Sequence, residues 1–146
     1  EWAYKLKLSE QKAKTSIPGL LQVYRCSDAN GKFVADAIVD QGEDAAAVPR
    51  IFDPNDNTKT KSLRGAMARE PLLLPVFERG EPVYASPSIH EIRARALSQL
   101  GRLDPGHQRF ENPHLYPVGL SPALNQLRDG MIAEARAGLD NGGGGV

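Results

Sequence analysis

Four lysines near the start of the chain are the residues whose type and spacing could do chemistry. They fall within ten residues of one another: Lys5, Lys7, Lys12 and Lys14. Ammonium groups on flexible stems can gather around a phosphate or pyrophosphate as point charges. Charge on the solvated face of a sheet is also ordinary and needs no ligand. The spacing therefore leaves two interpretations open, an anion clamp and a solvated strand face.

A strand must position these lysines. Residues 4–8 alternate apolar and basic side chains, which is the period of a strand with one face buried, so Lys5 and Lys7 share the other face. Pro18-Gly19 strongly favours a turn, because Pro fixes φ and Gly is free to take φ > 0. A second strand is expected at about residues 20–26. The segment from residue 4 to residue 25 is thus predicted to be a cationic hairpin.

The rest of the chain suggests a division into four segments. Residues 1–40 form the β-hairpin segment, since Asn30-Gly31 favours a tight connection between two strand-like runs. Residues 41–66 form a variable loop, rich in acidic, Asn, Thr and Pro residues, with at most a short strand at 50–52. Residues 67–140 hold an edge strand and a C-terminal helical segment. Residues 141–146 are a flexible tail.

The edge strand and helices of the third segment follow from Pro, Gly and capping signals. Pro75 within the apolar run 72–77 favours an edge strand, and the sheet is expected to end near residue 84. Ser88 and Glu91 form a capping-box pattern that starts a helix over 89–100. Pro122 suits the first position of a second helix, and Gly138 is its expected end. The predicted fold class is α+β, a small antiparallel sheet of hairpins followed by two C-terminal helices.

Composition excludes several classes of protein. Eighteen basic residues balance eighteen acidic ones, which argues against nucleic-acid and anionic-membrane partners. The single cysteine, Cys26, excludes an internal disulfide and a Cys-based zinc cluster, favours the cytoplasm, and is expected to be a small core residue. The histidines follow no metal-binding spacing and are expected to be surface or partly packed residues: His90, His107 and His114. The apolar, proline-containing stretch 104–120 is expected to lie against the body of a protein.

Several motifs resemble one enzyme family. They are KLSEQKAKTSIPG, QVYR, PSIHEIRARALSQLGRLDPGHQR and NPHLYPVGLSPALNQLR. Together they are similar to the carboxyl-terminal part of nicotinate phosphoribosyltransferases over roughly residues 2–137. There is a more distant similarity to nicotinamide phosphoribosyltransferases. Because the chain also opens without Met, we expect it to be a segment of a longer polypeptide.

The resemblance implies an enzyme of pyridine-nucleotide salvage. Family members join nicotinate to phosphoribosyl pyrophosphate, giving nicotinate mononucleotide and pyrophosphate, with ATP hydrolysis coupled and Mg²⁺ assisting. The implied fold is a type II phosphoribosyltransferase, an α/β barrel plus a small β-rich domain. The implied partners are the upstream barrel portion of the same enzyme, a second copy in a homodimer and small-molecule substrates.

The resemblance carries over to few individual residues. The family's catalytic residues lie upstream, so we expect no catalytic residue and no metal ligand here, and the segment alone is predicted to be inactive. Lysines in this part of the relatives reach phosphates, which makes Lys5, Lys7 and Lys14 the candidate phosphate-binding residues. Two alternatives stay open: a non-catalytic interface segment, and an autonomous anion-binding or RNA-binding module.

Overall fold

The computed structural model describes the backbone of residues 3, 4, 7, 9 and 15–142, and the side chains of residues 7, 9 and 15–138. The fold class is α+β, as predicted. The described elements, in chain order, are β1 (Ala3–Tyr4), β2 (Gly19–Ser27), β3 (Phe33–Asp40), β4 (Arg50–Asp53), β5 (Asp56–Ser62), β6 (Ala68–Pro71), β7 (Phe77–Glu78), β8 (Glu81–Pro82), α1 (Ile89–Arg102), β9 (Val118–Leu120) and α2 (Pro122–Gly142).

Seven of the described strands form one sheet in the order β1-β2-β3-β9-β4-β5, with β6 paired to β2 as well. The predicted hairpin at Asn30-Gly31 is confirmed, since β2 and β3 pair antiparallel. Gly31 takes a positive φ of 75°, which only glycine adopts at no steric cost. A bulge between Cys26 and Ser27 shifts the register by one residue. The strands β7 and β8 form a separate two-stranded ribbon.

The core is small and lies around β2, β3 and β4. Its buried members are Cys26, Ala35, Ala37, Val39, Val48, Ile51 and Leu63. The predicted burial of Cys26 is confirmed, with no exposed surface. Burial is also the main reason that the pKa of its thiol is raised. Leu120 of β9 and Leu124 of α2 are likewise buried, so the apolar start of α2 is fixed to the sheet.

The prediction of a loop over 41–66 was wrong about its secondary structure. A short 3-10 turn at Ala45–Ala47 is followed by an antiparallel hairpin of β4 and β5. Every residue of β5 after Asp56 is exposed, because the strand lies at the end of the sheet order. An edge strand with no buried face has no apolar alternation, and its Thr, Lys and Asn residues therefore suggested a loop.

The edge strand predicted at 72–77 lies earlier in the chain, as β6, which pairs with residues 24–27 of β2. Beyond Pro71 one further backbone bond joins Leu72 N–H to the Val23 carbonyl at 2.8 Å. At the next position the Gln22 side chain takes the place of a backbone partner. Its amide nitrogen donates to the Leu73 carbonyl and its amide oxygen accepts from the Leu73 N–H, both at 3.0 Å. The backbone pairing between β2 and β6 therefore ends at about residue 72, which is where the sequence predicted that an edge strand begins.

The sheet does not end near residue 84, because β9 lies inside it. The strand β9 pairs parallel with β3 and is also bonded to β4 through Phe52 and Leu120. Part of the stretch 104–120 is therefore a component of this chain's own sheet, and the expected sheet of antiparallel hairpins contains one parallel pair. Three residues are too few to show a strand period in the sequence.

Both helices begin where the sequence predicts. The capping box of α1 is present, with Ser88 Oγ accepting from the Glu91 N–H at 3.3 Å and the Glu91 carboxylate accepting from the Ser88 N–H at 2.7 Å. The helix ends at Arg102, slightly beyond the predicted residue 100. α2 continues through Gly138 to Gly142, so its predicted end was wrong and residues 141 and 142 are helical. A glycine costs a helix only about 1 kcal/mol and need not end it.

No helix in the described part of the chain is long and apolar enough to cross a membrane. Residues 143–146 of the predicted tail lie outside the described residues.

Candidate functional site

The lysine hairpin is described in part. Tyr4 and Gly19 are register partners of β1 and β2. Lys7 and Ser16 keep the same register: the Lys7 N–H donates to Ser16 Oγ at 2.6 Å, and the Ser16 N–H donates to the Lys7 carbonyl at 3.2 Å. Lys7 is exposed. Lys5 and Lys14 lie outside the described residues, so the phosphate-binding assignment of the three lysines stays a prediction.

The histidines occupy packed or surface positions, as expected. His107 Nδ1 lies 2.8 Å from the His114 carbonyl, and the His107 ring is edge-on to the rings of His114 and Tyr116 at 6.1 and 5.5 Å. His90 is exposed on α1. Across the described residues no three His, Cys, Asp or Glu side chains are grouped so as to hold a metal ion.

An ion pair in the sheet is the most highly connected polar group among the described side chains. Arg25 donates through Nε and Nη2 to the two carboxylate oxygens of Asp36, at 3.0 and 2.8 Å. Tyr116 donates its hydroxyl to Asp36 Oδ1 at 3.0 Å. The hydrogen bond to Asp36 raises the pKa of Arg25, while burial and the nearby Asp36 charge raise the pKa of Tyr116. Arg25 and Tyr116 therefore both keep their protons around neutral pH, and their hydrogen bonds to Asp36 serve as a structural clamp.

The same ion pair helps to fix α1 to the sheet. Arg25 Nη1 donates to Gln99 Oε1 of α1 at 3.1 Å. Arg102, in the last turn of α1, donates to the Gly31 carbonyl at 2.7 Å and to Ser27 Oγ at 3.0 Å. The guanidinium carbons of Arg25 and Arg102 lie 4.8 and 4.2 Å from the centre of the buried Phe33 ring. Polar and cation–π contacts near its C-terminal end thus attach α1, without an apolar interface.

The apolar side chains of α1 face water as a result. All residues of α1 are described and none is buried. The segment 72–84 that precedes it is equally exposed, and its Tyr84 lines a groove of about 610 Å³ together with Ile92 and Arg95 of the helix. We call the following set the apolar face, in which the exposed fraction of the side chains runs from 37% to 72%: Leu73, Leu74, Val76, Phe77, Val83, Tyr84, Ile89, Ile92, Leu97 and Leu100.

A second, open cavity of about 500 Å³ lies over β2 and β6. Tyr24, Glu43, Asp44 and Arg69 line it with three alanines and Met67. Arg69 Nη2 donates to the Val48 carbonyl at 3.0 Å, which ties β6 to the turn before β4. Acidic and basic groups are mixed here, and Glu43 is already bonded to the Ser121 hydroxyl at 2.5 Å. The cavity shows no nucleophile with an adjacent base.

Reasoning from the sequence missed the Arg25–Asp36 pair, although a signal was available. Asp36 is a lone acidic residue inside an apolar strand, and buried carboxylates need a partner. A hairpin centred on Asn30-Gly31 places Arg25 opposite Asp36, and the two are register partners in the structure. The Tyr116 contact has no such signal, because it joins residues 80 positions apart.

Comparisons with known proteins agree with the fold and its connectivity. A sequence model described as the nicotinate phosphoribosyltransferase C-terminal domain matches residues 21–128. The nicotinate phosphoribosyltransferase of Bos taurus is 33% identical over 132 residues, which is 88% of this chain and 24% of the relative. The Homo sapiens enzyme is 30% identical over 132 residues, with the same shares.

A solved structure gives the same result. The crystal structure of human nicotinic acid phosphoribosyltransferase matches 87% of this chain and 25% of that chain, with a TM-score of 0.70 and 27% sequence identity. The chain spans about a quarter of the length of the curated relatives it matches. Since the domain match covers most of the 146 residues, the chain belongs to the nicotinate phosphoribosyltransferase family, in which it corresponds to the C-terminal domain.

Proposed function

We propose that this chain is the C-terminal part of a working nicotinate phosphoribosyltransferase. The whole enzyme joins nicotinate to phosphoribosyl pyrophosphate, releases nicotinate mononucleotide and pyrophosphate, and couples the transfer to ATP hydrolysis in NAD salvage. The observation that carries this proposal is the C-terminal domain match over residues 21–128. The rest of the polypeptide, in this proposal, supplies the barrel and the catalytic residues.

The described residues favour a structural role for the segment within that enzyme. The best-connected polar group, around Arg25 and Asp36, is engaged with protein atoms on β3, α1 and the segment before β9. The chemistry of transfer needs positive charge near the departing pyrophosphate. Within this segment, Lys5, Lys7 and Lys14 remain the proposed source of that charge, and the exposed position of Lys7 leaves its ammonium available to a ligand.

No group of three His, Cys, Asp or Glu side chains that could hold a metal ion is present among the described residues. We place Mg²⁺, as a proposed participant, in the rest of the enzyme, and we assign to Lys5, Lys7 and Lys14 no role in the reaction beyond contact with phosphates. The proposed compartment is the cytoplasm, because a single buried free cysteine is typical of a reducing environment.

The experiment that tests the proposal compares two bases. The full-length enzyme that contains this chain is supplied with phosphoribosyl pyrophosphate, ATP and either nicotinate or nicotinamide. We expect mononucleotide and ADP to form with nicotinate. Product formed only with nicotinamide, or with neither base, contradicts the proposed function.

A lysine test belongs to the same assay. Lys7→Ala and Lys14→Ala should raise the KM for phosphoribosyl pyrophosphate or ATP by about tenfold, a loss that corresponds to roughly 1.4 kcal/mol. Lys59→Ala is the matched control, since Lys59 is an exposed lysine on β5. Unchanged KM values in both lysine variants would contradict the phosphate-binding role and leave the interpretation that these lysines lie on a solvated strand face.

A second candidate function is a non-catalytic interface segment, and one observation favours it. Ten large apolar side chains on 73–84 and α1 are exposed, far more than a solvated anion-binding module needs. Such a segment would contribute contacts to the barrel or to a second copy in a homodimer and no group to the chemistry. Full activity in the lysine variants would support this role.

A further inference from the structure

The turn between β2 and β3 contains an Asn-Gly pair that is open to water. Asn30 is exposed, and a Cβ added to Gly31 would meet nothing within 4 Å. In such a pair the backbone nitrogen of the glycine can attack the side-chain carbonyl carbon of the asparagine, because glycine has no Cβ to obstruct the approach and the widest choice of φ and ψ. The turn therefore holds both reacting groups and gives them access to water.

Hydrogen bonds engage the attacking nitrogen in the folded state. The Gly31 N–H donates to the Asp28 carbonyl at 3.0 Å. The Asp28 carboxylate accepts from the N–H groups of Asn30 and Lys32, at 2.9 Å each. The Gly31 nitrogen must lose its proton before it attacks, so its bond to the Asp28 carbonyl must first break. Reaction at this turn thus requires local opening, and the free energy of that opening sets the rate.

The last turn of α1 holds the same turn from outside. Arg102 donates to the Gly31 carbonyl at 2.7 Å, and the Lys32 ammonium donates to the Gly101 carbonyl at 2.8 Å. Both are hydrogen bonds from charged donors, which are stronger than those between neutral groups. The turn cannot open without straining them, because Gly31 and Lys32 belong to the segment that moves. The attachment of α1 therefore slows the opening of the turn.

We propose that Asn30 is a site of spontaneous deamidation, at a rate controlled by the contacts between this turn and α1. The Gly31 nitrogen, after giving its proton to solvent hydroxide, bonds to the side-chain carbonyl carbon of Asn30. The bond from that carbon to the amide nitrogen then breaks, and ammonia leaves with a proton taken from water. Water opens the resulting succinimide ring at either of its carbonyls, which leaves aspartate or isoaspartate at position 30. The net reaction consumes water, releases ammonia and needs no oxidant or cofactor.

The product weakens the contact that controls its formation. In isoaspartate the chain continues through the side-chain carbon, so a methylene group is added to the backbone just before Gly31. The Gly31 carbonyl then moves relative to Arg102. Both products also add a carboxylate next to that of Asp28, which already bonds to the backbone N–H of the same residue, and like charges repel. The attachment of α1 to the sheet therefore loosens as the protein ages.

Ageing of the full-length enzyme that contains this chain tests the proposal. Samples held at neutral and at mildly alkaline pH are digested, and mass spectrometry follows deamidation and isoaspartate at each asparagine. We expect Asn30 to react at least about tenfold faster than Asn57, which is also exposed but precedes the β-branched Thr58. The peptides must separate Asn30 from Asn141, which precedes the second Asn-Gly glycine. Conversion of Asn30 no faster than that of Asn57 overturns the proposal.

Variants of the same enzyme test the control by α1. Arg102→Ala should speed conversion of Asn30 by about tenfold, since a hydrogen bond from a charged donor is lost. Lys32→Ala removes the second contact and should also speed it. Arg93→Ala, at an exposed arginine elsewhere on α1, is the matched control and should leave the rate unchanged. Equal rates in Arg102→Ala and Arg93→Ala overturn the control by α1. If Arg102→Ala also speeds conversion of Asn57, the whole fold has opened, and an unchanged rate in Lys32→Ala then overturns it.

Amide hydrogen exchange tests the consequence for the helix. In enzyme aged until most of position 30 is converted, we expect residues 98–102 to exchange about tenfold faster than in fresh enzyme. Asn30→Gln keeps a neutral amide but must close a larger ring, which is much slower, so ageing should leave exchange at 98–102 unchanged in this variant. Unchanged exchange at 98–102 in the converted wild type overturns the link between Asn30 and α1, and so does an equal increase in aged Asn30→Gln.

Discussion

Arg25 on β2 lies directly opposite Asp36 on β3, and its guanidinium donates to both carboxylate oxygens at 3.0 and 2.8 Å. Arg25 also donates to Gln99 of α1, and Asp36 accepts from the hydroxyl of Tyr116 in the segment before β9. One cross-strand pair thus contacts both elements that follow the hairpins. Together with the bonds made by Arg102 and Lys32, it attaches α1, which carries part of the apolar face, to the sheet.

Removing the Asp36 carboxylate should lower the stability of the fold. The side chains of Arg25 and Asp36 are 21% and 10% exposed, so Asp36→Asn leaves a partly buried guanidinium without its counter-charge. We expect the free energy of unfolding to fall by roughly 3 kcal/mol. Urea denaturation at neutral pH measures the change. Lys59→Gln breaks the exposed pair with Asp56 and should cost less than about 1 kcal/mol, and equal losses in the two variants would refute the clamp.

Tyr116 should make stability fall in alkali. Burial and the Asp36 carboxylate raise its folded pKa above the ordinary value of 10.0, so the folded state holds this proton more tightly than the unfolded state. Its contribution is fully present below about pH 10 and is lost as the pH rises toward the folded pKa. The wild type should therefore lose more unfolding free energy between about pH 9 and pH 11 than Tyr116→Phe. Parallel pH profiles would show that the hydroxyl is not coupled to folding.

The capping box should hold the free end of α1. Glu91 has a lowered pKa, mainly because the Ser88 hydroxyl and then its N–H bond to the carboxylate. Ser88→Ala should cost about 1 kcal/mol and speed amide exchange in the first turns, because the contacts to the sheet lie near the other end of the helix. Ser98→Ala, in the interior of the same helix, is the control and should not destabilise the protein, because Ala is a better helix former than Ser. Unchanged exchange at 89–93 in Ser88→Ala would contradict this account.

Two glycines should respond in opposite directions to the same substitution. A Cβ on Gly119 would lie 2.5 Å from the Phe52 carbonyl oxygen, whereas one on Gly130 meets nothing within 4 Å. We expect Gly119→Ala to lower the free energy of unfolding by about 1–3 kcal/mol, since β9 and β4 must separate. Gly130→Ala should raise it by about 1 kcal/mol through helix propensity. Chemical denaturation of the two variants gives both values, and a neutral Gly119→Ala would show that the two strands have room to move.

The sequence predicted the elements that have strong local signals. Asn30-Gly31 located the hairpin, Ser88 with Glu91 located the start of α1, and Pro122 located the start of α2. The strand β5 was missed because its residues are exposed on the sheet edge, and β9 because it is three residues long and is held by partners about eighty positions away. Such pairings depend on tertiary contacts, which no local pattern records.

The candidate site was predicted less completely. Of the three lysines, Lys7 alone lies within the described residues, and its place opposite Ser16 agrees with the predicted hairpin. The helical periodicity of α1 identified its apolar residues but not their exposure. Periodicity shows which residues share a face, whereas the partner of that face is set by the rest of the protein.

The most direct measurement pairs the intact mass of the protein with turnover of nicotinate, phosphoribosyl pyrophosphate and ATP, on the isolated chain and on the longest polypeptide that contains it. The account predicts that the isolated chain of 15.8 kDa forms no mononucleotide and that the longer polypeptide does. Turnover by the isolated chain would contradict the account, because catalysis would then need nothing beyond these 146 residues.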